Sequence, residues 1–129
     1  MCEPLKVVQA FIGAWNRMDF DAVVGALAPD ICYHNMPLEP IDGLDNVASY
    51  LRGAWTFSAC DWSLLSIAVD GDKVLTERVD AFTINEQPVV LPVMGIFEVR
   101  HGLIASWRDY FDLADYRKQL LAATAANAG

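Results

Sequence analysis

Apolar residues recur at helical spacing at Leu5, Val8, Phe11, Ile12 and Trp15, so the pattern predicts an amphipathic helix over about residues 4–17. Asp19 is placed to cap a second, shorter helix carrying Phe20, Val23, Val24 and Leu27, with Pro29 standing where that helix must have stopped. Residues 31–35 read as extended. After the breaks at Pro37, Pro40 and Gly43, helical spacing returns at Val47, Tyr50, Leu51 and Ala54, predicting a third helix over residues 45–57. From residue 61 the period changes to two, and four antiparallel strands are expected over 62–69, 73–84, 89–99 and 103–111. They are separated by turns at Asp70-Gly71-Asp72, near residues 85–88 and at Arg100-His101-Gly102. A last short helix over 113–122, through Leu113, Tyr116, Leu120 and Leu121, precedes an Ala-rich end expected to fray over 124–129. Helices first and a meander of strands afterwards predict an α+β fold, with helices covering one face of a curved sheet.

With 129 residues and 54% of them hydrophobic, the chain suits a single domain over 1–129 with a substantial core. No segment approaches the roughly 20 apolar residues of a membrane span, and the N-terminus lacks the features of a secretion signal, so a cytoplasmic location is expected. Nine Lys and Arg against 17 Asp and Glu give a net charge of −8, which argues against nucleic acid and anionic lipid as partners. Cys2, Cys32 and Cys60 are too scattered for a disulfide framework, and with only His34 and His101 beside them no metal site is expected.

Alternation along residues 74–82 puts Val74, Thr76, Arg78, Asp80 and Phe82 on one strand face. Arg78 and Asp80 are then roughly 6.6 Å apart along the strand at a rise of ~3.3 Å per residue, close enough for their side chains to pair. Tyr33 and Asn35 share a face in the same way. In the last strand Leu103, Ala105, Trp107, Asp109 and Phe111 are expected together, which leaves Asp109 among apolar and aromatic neighbours. A carboxylate in such company needs a cation or several donors, and Arg78 is the natural one if the strands curve around a shared cavity. The residue pattern alone fits an active site and equally a structural ion network with Tyr33 and Asn35 as anchoring groups.

Three segments, Tyr33-His34-Asn35-Met36-Pro37, Glu77-Arg78-Val79-Asp80 and Trp107-Arg108-Asp109-Tyr110-Phe111-Asp112, together resemble those of limonene-1,2-epoxide hydrolases in order and separation. The resemblance spans roughly residues 4–115. It implies a cone-like fold, shared with ketosteroid isomerases and nuclear transport factor 2, in which N-terminal helices wrap a curved, mostly antiparallel sheet around a deep pocket. It also implies a homodimer without a cofactor. Asp109 would be the general base, activating a water held also by Tyr33 and Asn35; Asp80 would be the general acid toward the epoxide oxygen, and Arg78 would bridge the two. Water would attack directly, with no covalent intermediate, and the product would be a vicinal diol.

The same strand faces nominate Phe82, Leu91, Val93 and Phe111 as pocket lining, with Trp15 reaching in from the first helix. Such walls suit a small hydrophobic epoxide of terpene or cycloalkene oxide type. Homodimerisation is expected on physical grounds too, because a sheet with helices on one face leaves the other to be covered. Two other readings keep the fold: an isomerase or polyketide-cyclase-like proton shuttle using Tyr33 and Asp80, and a ligand-binding or dimerisation module without catalysis.

Overall fold

A computed structural model describes residues 3–125. Helices α1 (Glu3–Asn16) and α2 (Phe20–Gly25) lead into strand β1 (Leu27–Asn35), the two-residue β2 (Ile41–Asp42) and helix α3 (Leu44–Ala54). Four long strands follow, β3 (Ala59–Asp70), β4 (Lys73–Ile84), β5 (Gln87–Arg100) and β6 (Leu103–Tyr110), and α4 (Leu113–Ala125) ends the described chain.

The meander β3 to β6 forms as its alternation predicts, but it is part of a six-stranded sheet ordered β2-β1-β6-β5-β4-β3. Three helices do not precede the sheet; β1 interrupts them and lies parallel to β6, more than 70 residues along the chain from it, with Tyr33 opposite Trp107 and Asn35 opposite Asp109. Leu27, expected in the second helix, opens β1 opposite Ile104, and α2 ends at Gly25 after a short run capped by the Asp19 side chain at the Ala22 N–H. Pro29 therefore stands inside a strand. It has no N–H to give, and the register slips across it, from Leu27 opposite Ile104 to Cys32 opposite Ser106.

A bulge in β6 corrects a second expectation. Val99 faces Ile104 while Glu98 faces Ser106, so Ala105 is the extra residue. The face of Trp107 and Asp109 is continued by the fully buried Ile104 rather than by Leu103 and Ala105. Helix α3 stops at Ala54, three residues early, because Trp55 and Phe57 turn into an aromatic cluster with Trp15 instead. Thr124, expected to begin a frayed end, is still in α4, its hydroxyl donating to the Leu120 carbonyl. Ala125 closes the same helix, while residues 126–129, and Cys2, lie outside the described residues.

Helix α1 packs Val8, Phe11, Ile12, Ala14 and Trp15 against the concave side of the sheet. Trp15 stacks on Trp62 at 4.6 Å between centroids, Tyr33 stacks on Trp107 at 3.9 Å, and Phe11 meets both tryptophans edge-on. At its last residue the Asn16 amide grips the edge strand, accepting from the Trp62 N–H at 2.7 Å and donating to the Trp62 carbonyl at 3.2 Å. One end of the concave face is thereby closed, and the other stays open toward α3 and α4. Among the described residues no helix is long and apolar enough to cross a membrane.

Candidate active site

Four successive inward positions of β4, Thr76, Arg78, Asp80 and Phe82, run from the core toward that open end. Their neighbours across the sheet are set by register: Thr76 faces Gly95, Arg78 faces Val93 and Asp80 faces Leu91, while Gly95 in turn faces Asp109. Gly95 thus stands between Thr76 and Asp109 with no side chain of its own. Arg78 occupies the space so left; a Cβ at Gly95 would collide with its Nη1 and lie 2.5 Å from Asp109 Oδ1.

The Arg78 guanidinium is buried and donates four hydrogen bonds. Its Nε donates to Asp80 Oδ1 at 3.0 Å and its Nη2 to Asp80 Oδ2 at 2.9 Å, a two-pronged pair. Nη2 also donates to Asp109 Oδ2 at 3.2 Å, and Nη1 donates to Thr76 Oγ1 at 3.0 Å. The Thr76 hydroxyl in turn donates to the Gly95 carbonyl at 3.1 Å. The Trp62 ring lies 4.5 Å from the guanidinium carbon, favourable for a cation against a π face.

Burial pushes the Asp80 carboxyl up to about 6, with the Asp109 charge adding to the rise and the Arg78 hydrogen bonds and charge opposing it. Burial also raises Asp109, again against the pull of Arg78. Burial disfavours charge on Arg78 as well, but Asp109 and Asp80 outweigh it and keep the guanidinium protonated. The arrangement can therefore hold one carboxyl neutral beside one ionised, as a coupled pair. Burial, reinforced by the Asp109 charge, drives the Tyr33 phenol well above its usual range, so its proton stays on. Asp109 Oδ1 is buried beside Gly95 without a hydrogen-bond partner among the described residues.

A cavity of about 370 Å³ opens above this floor. Nine of the ten residues singled out in the sequence line it: Tyr33, Asn35, Asp80 and Asp109 at the polar end, and Trp15, Phe82, Leu91, Val93 and Phe111 along the walls. The tenth, Arg78, lies beneath, its side chain fully buried. Phe111 reaches the cavity from just beyond the end of β6. Among the described residues no group of His, Cys, Asp and Glu is placed to hold a metal ion.

Several members of the site were not singled out. Thr76 carries the same alternation as Arg78 and Asp80, and Gly95 is a lone glycine inside a strand pattern, which signals a close approach. Tyr50 from α3 and Tyr116 and Leu120 from α4 also line the cavity, and nothing in their helical spacing distinguishes a rim from a core stripe.

Residues 2–122 match the family model of the limonene-1,2-epoxide hydrolase catalytic domain. Epoxide hydrolase EphG of Mycobacterium tuberculosis is 40% identical over 119 residues, 92% of this chain and 80% of EphG. The structure of a limonene-epoxide-hydrolase-like epoxide hydrolase of M. tuberculosis superposes with a TM-score of 0.82 at 39% identity, covering 98% of this chain and 95% of that one. A candidate polyketide cyclase from Xanthomonas campestris pv. campestris superposes with a TM-score of 0.81 at 25% identity, over 92% of this chain and 96% of the other. Fold, floor and sequence match together make the chain an epoxide hydrolase that belongs to the limonene-1,2-epoxide hydrolase family.

Proposed function

We propose that the chain hydrolyses a small hydrophobic epoxide to a vicinal diol in one step, by attack of an activated water. The observation that carries this reading is that Asp80 and Asp109 share Arg78 Nη2 and line one cavity together with Tyr33 and Asn35. Asp109 takes a proton from a water held with Tyr33 and Asn35, and the water oxygen attacks an epoxide carbon. As the carbon–oxygen bond breaks, Asp80 gives its proton to the departing oxygen. One acid and one base facing each other across the ring meet the demand of epoxide opening, in which nucleophile and proton arrive on opposite sides. The proton gained by Asp109 then restores Asp80, so the cycle balances without a cofactor.

Apolar walls with a few converging polar groups suit a terpene or cycloalkene oxide. A single turnover in oxygen-18 water tests the chemistry: label in the first diol formed is expected. Unlabelled diol would mean that a carboxylate oxygen had been transferred, and would sink the direct-attack mechanism.

A homodimer is part of the same proposal. Leu75, Val90, Met94 and Tyr110 are exposed on the convex face of the sheet, which no described helix covers. Light scattering on the purified protein checks it, with a mass of twice the chain expected and a monomer mass against it.

A further inference from the structure

Helix α4 supplies one wall of the cavity through Tyr116 and Leu120, yet it buries only Ala123. Its place over the cavity must come from elsewhere. β6 accompanies β5 only from Met94 onward, where Tyr110 is its last partner, so the stretch of β5 before Met94 runs on without a strand on that side. Gln119 fills the gap. Its Oε1 accepts from the Val90 N–H at 2.7 Å and its Nε2 donates to the Val90 carbonyl at 2.8 Å, the two bonds a neighbouring strand would make. The Gln119 amide is itself steadied by Asp115, one turn earlier, which accepts from Nε2 at 3.0 Å. The ends of α4 add an Asp112 cap at the Asp115 N–H and one long bond of 3.4 Å from Asn85 to the Ala123 carbonyl.

We propose that Gln119 is a specificity-determining positioning residue: by docking α4 on the unpaired edge of β5 it fixes Tyr116 and Leu120 as the wall that limits how large an epoxide the cavity accepts. The proposal rests on the epoxide-hydrolase reading for its substrate and on geometry for its clamp. Gln119 touches no reacting group. Its loss therefore acts on the fit of the substrate and leaves the floor at Asp80, Asp109 and Arg78 unchanged.

The experiment compares Gln119→Leu, which keeps bulk and removes both bonds, with Gln119→Glu, which keeps only an acceptor for the Val90 N–H. Lys118→Ala, on the exposed side of α4, is the control. Steady-state kinetics on cyclopentene, cyclohexene and cyclooctene oxides, with hydrogen exchange of the α4 amides, provide the readout. For Gln119→Leu the KM of the smallest epoxide should rise roughly tenfold while that of the largest falls, with kcat nearly constant throughout. Exchange of α4 should quicken, and Gln119→Glu should lie between.

Unchanged KM values, or a parallel loss on all three substrates, would overturn the proposal. If the native protein opens no epoxide, the functional reading fails by itself. The clamp is then judged by α4 exchange and by tryptophan-fluorescence titration with cyclopentane, cyclohexane and cyclooctane diols, Trp15 and Trp62 being cavity residues. Loss of small-over-large preference in Gln119→Leu still supports the proposal, and unchanged exchange and preference defeat it.

Discussion

Arg78 at the floor of the cavity makes four hydrogen bonds from its guanidinium and lies against the Trp62 ring, whereas α4 at the rim buries one residue and meets the edge of β5 through one glutamine side chain. The floor is built across three adjacent strands, and each of the three guanidinium nitrogens of Arg78 is held by at least one hydrogen bond. The rim is two helices, from which Tyr50 is exposed and Tyr116 only partly buried. The difference separates two kinds of function. Chemistry needs groups held to a fraction of an ångström, so it belongs to the over-determined sheet; selection among substrates tolerates adjustment, and can be left to an element docked by a few bonds. Changes at the floor should appear in kcat, and changes at the rim in KM and preference.

The largest effect is expected from Asp109→Asn, which removes the proposed base and keeps its shape. The loss in kcat should be about 10²–10⁴-fold, the size of a general-base contribution, with KM within about threefold. Thermal melting should show no loss of fold. A protein that instead lost stability without losing a specific rate would make the buried carboxylates a structural network, and the contrast between floor and rim would collapse.

Gly95→Ala attacks the same point from the backbone side. The added methyl collides with Arg78 Nη1 and crowds Asp109 Oδ1, so one or both must shift. A destabilisation of roughly 1–3 kcal/mol from overpacking is expected. It should be accompanied by a fall in kcat well beyond any change in KM, measured together by melting and steady-state kinetics.

Proton chemistry sharpens the comparison further. Asp80 must be protonated to act as the acid, and burial, aided by Asp109 and opposed by Arg78, sets it at about 6. The free enzyme should accordingly lose kcat/KM as pH rises through about 6, approaching tenfold per pH unit on the alkaline limb. Stability follows the same sign. The folded value is raised above the ordinary carboxylate value, so Asp80 contributes stability that is fully present below the unfolded value near 3.8 and is lost as pH rises through about 6. Chemical denaturation across that window should show the slope in the native protein and lose part of it in Asp80→Asn.

How much of this was legible in the sequence divides along the same line. Arg78, Asp80 and Phe82 could be placed on one face because strand alternation is strict, and β4 is continuous from Lys73 to Ile84. Asp109 was placed correctly but its row was not, since the bulge at Ala105 moved Ile104 inward and Leu103 out of line, and no local pattern marks a bulge without a glycine. The parallel pairing of β1 with β6 was invisible because its partner is distant and Pro29 disguises the strand. At the rim, Gln119 reads as an ordinary solvated helix residue; its role depends on where β6 happens to end, which is a property of the assembled sheet.

The smallest effect on the list of changes tests how tightly the floor is held. Thr76 is fully buried, and its hydroxyl accepts from Arg78 while donating to the Gly95 carbonyl. Thr76→Val preserves the shape and removes both bonds, leaving a buried guanidinium N–H without its acceptor, at a cost of about 1–3 kcal/mol for such a buried group. If Arg78 is fixed by its carboxylate partners alone, that cost appears only as a lower melting temperature. If the threonine also sets the angle at which Nη2 presents itself to Asp80 and Asp109, kcat falls by roughly tenfold with KM unchanged, and Thr76→Ser recovers most of it. The second outcome is expected, because Nη1 and Nη2 belong to one rigid plane: releasing the first lets the second turn away from Asp109, where the 3.2 Å bond is the longest and weakest of the four.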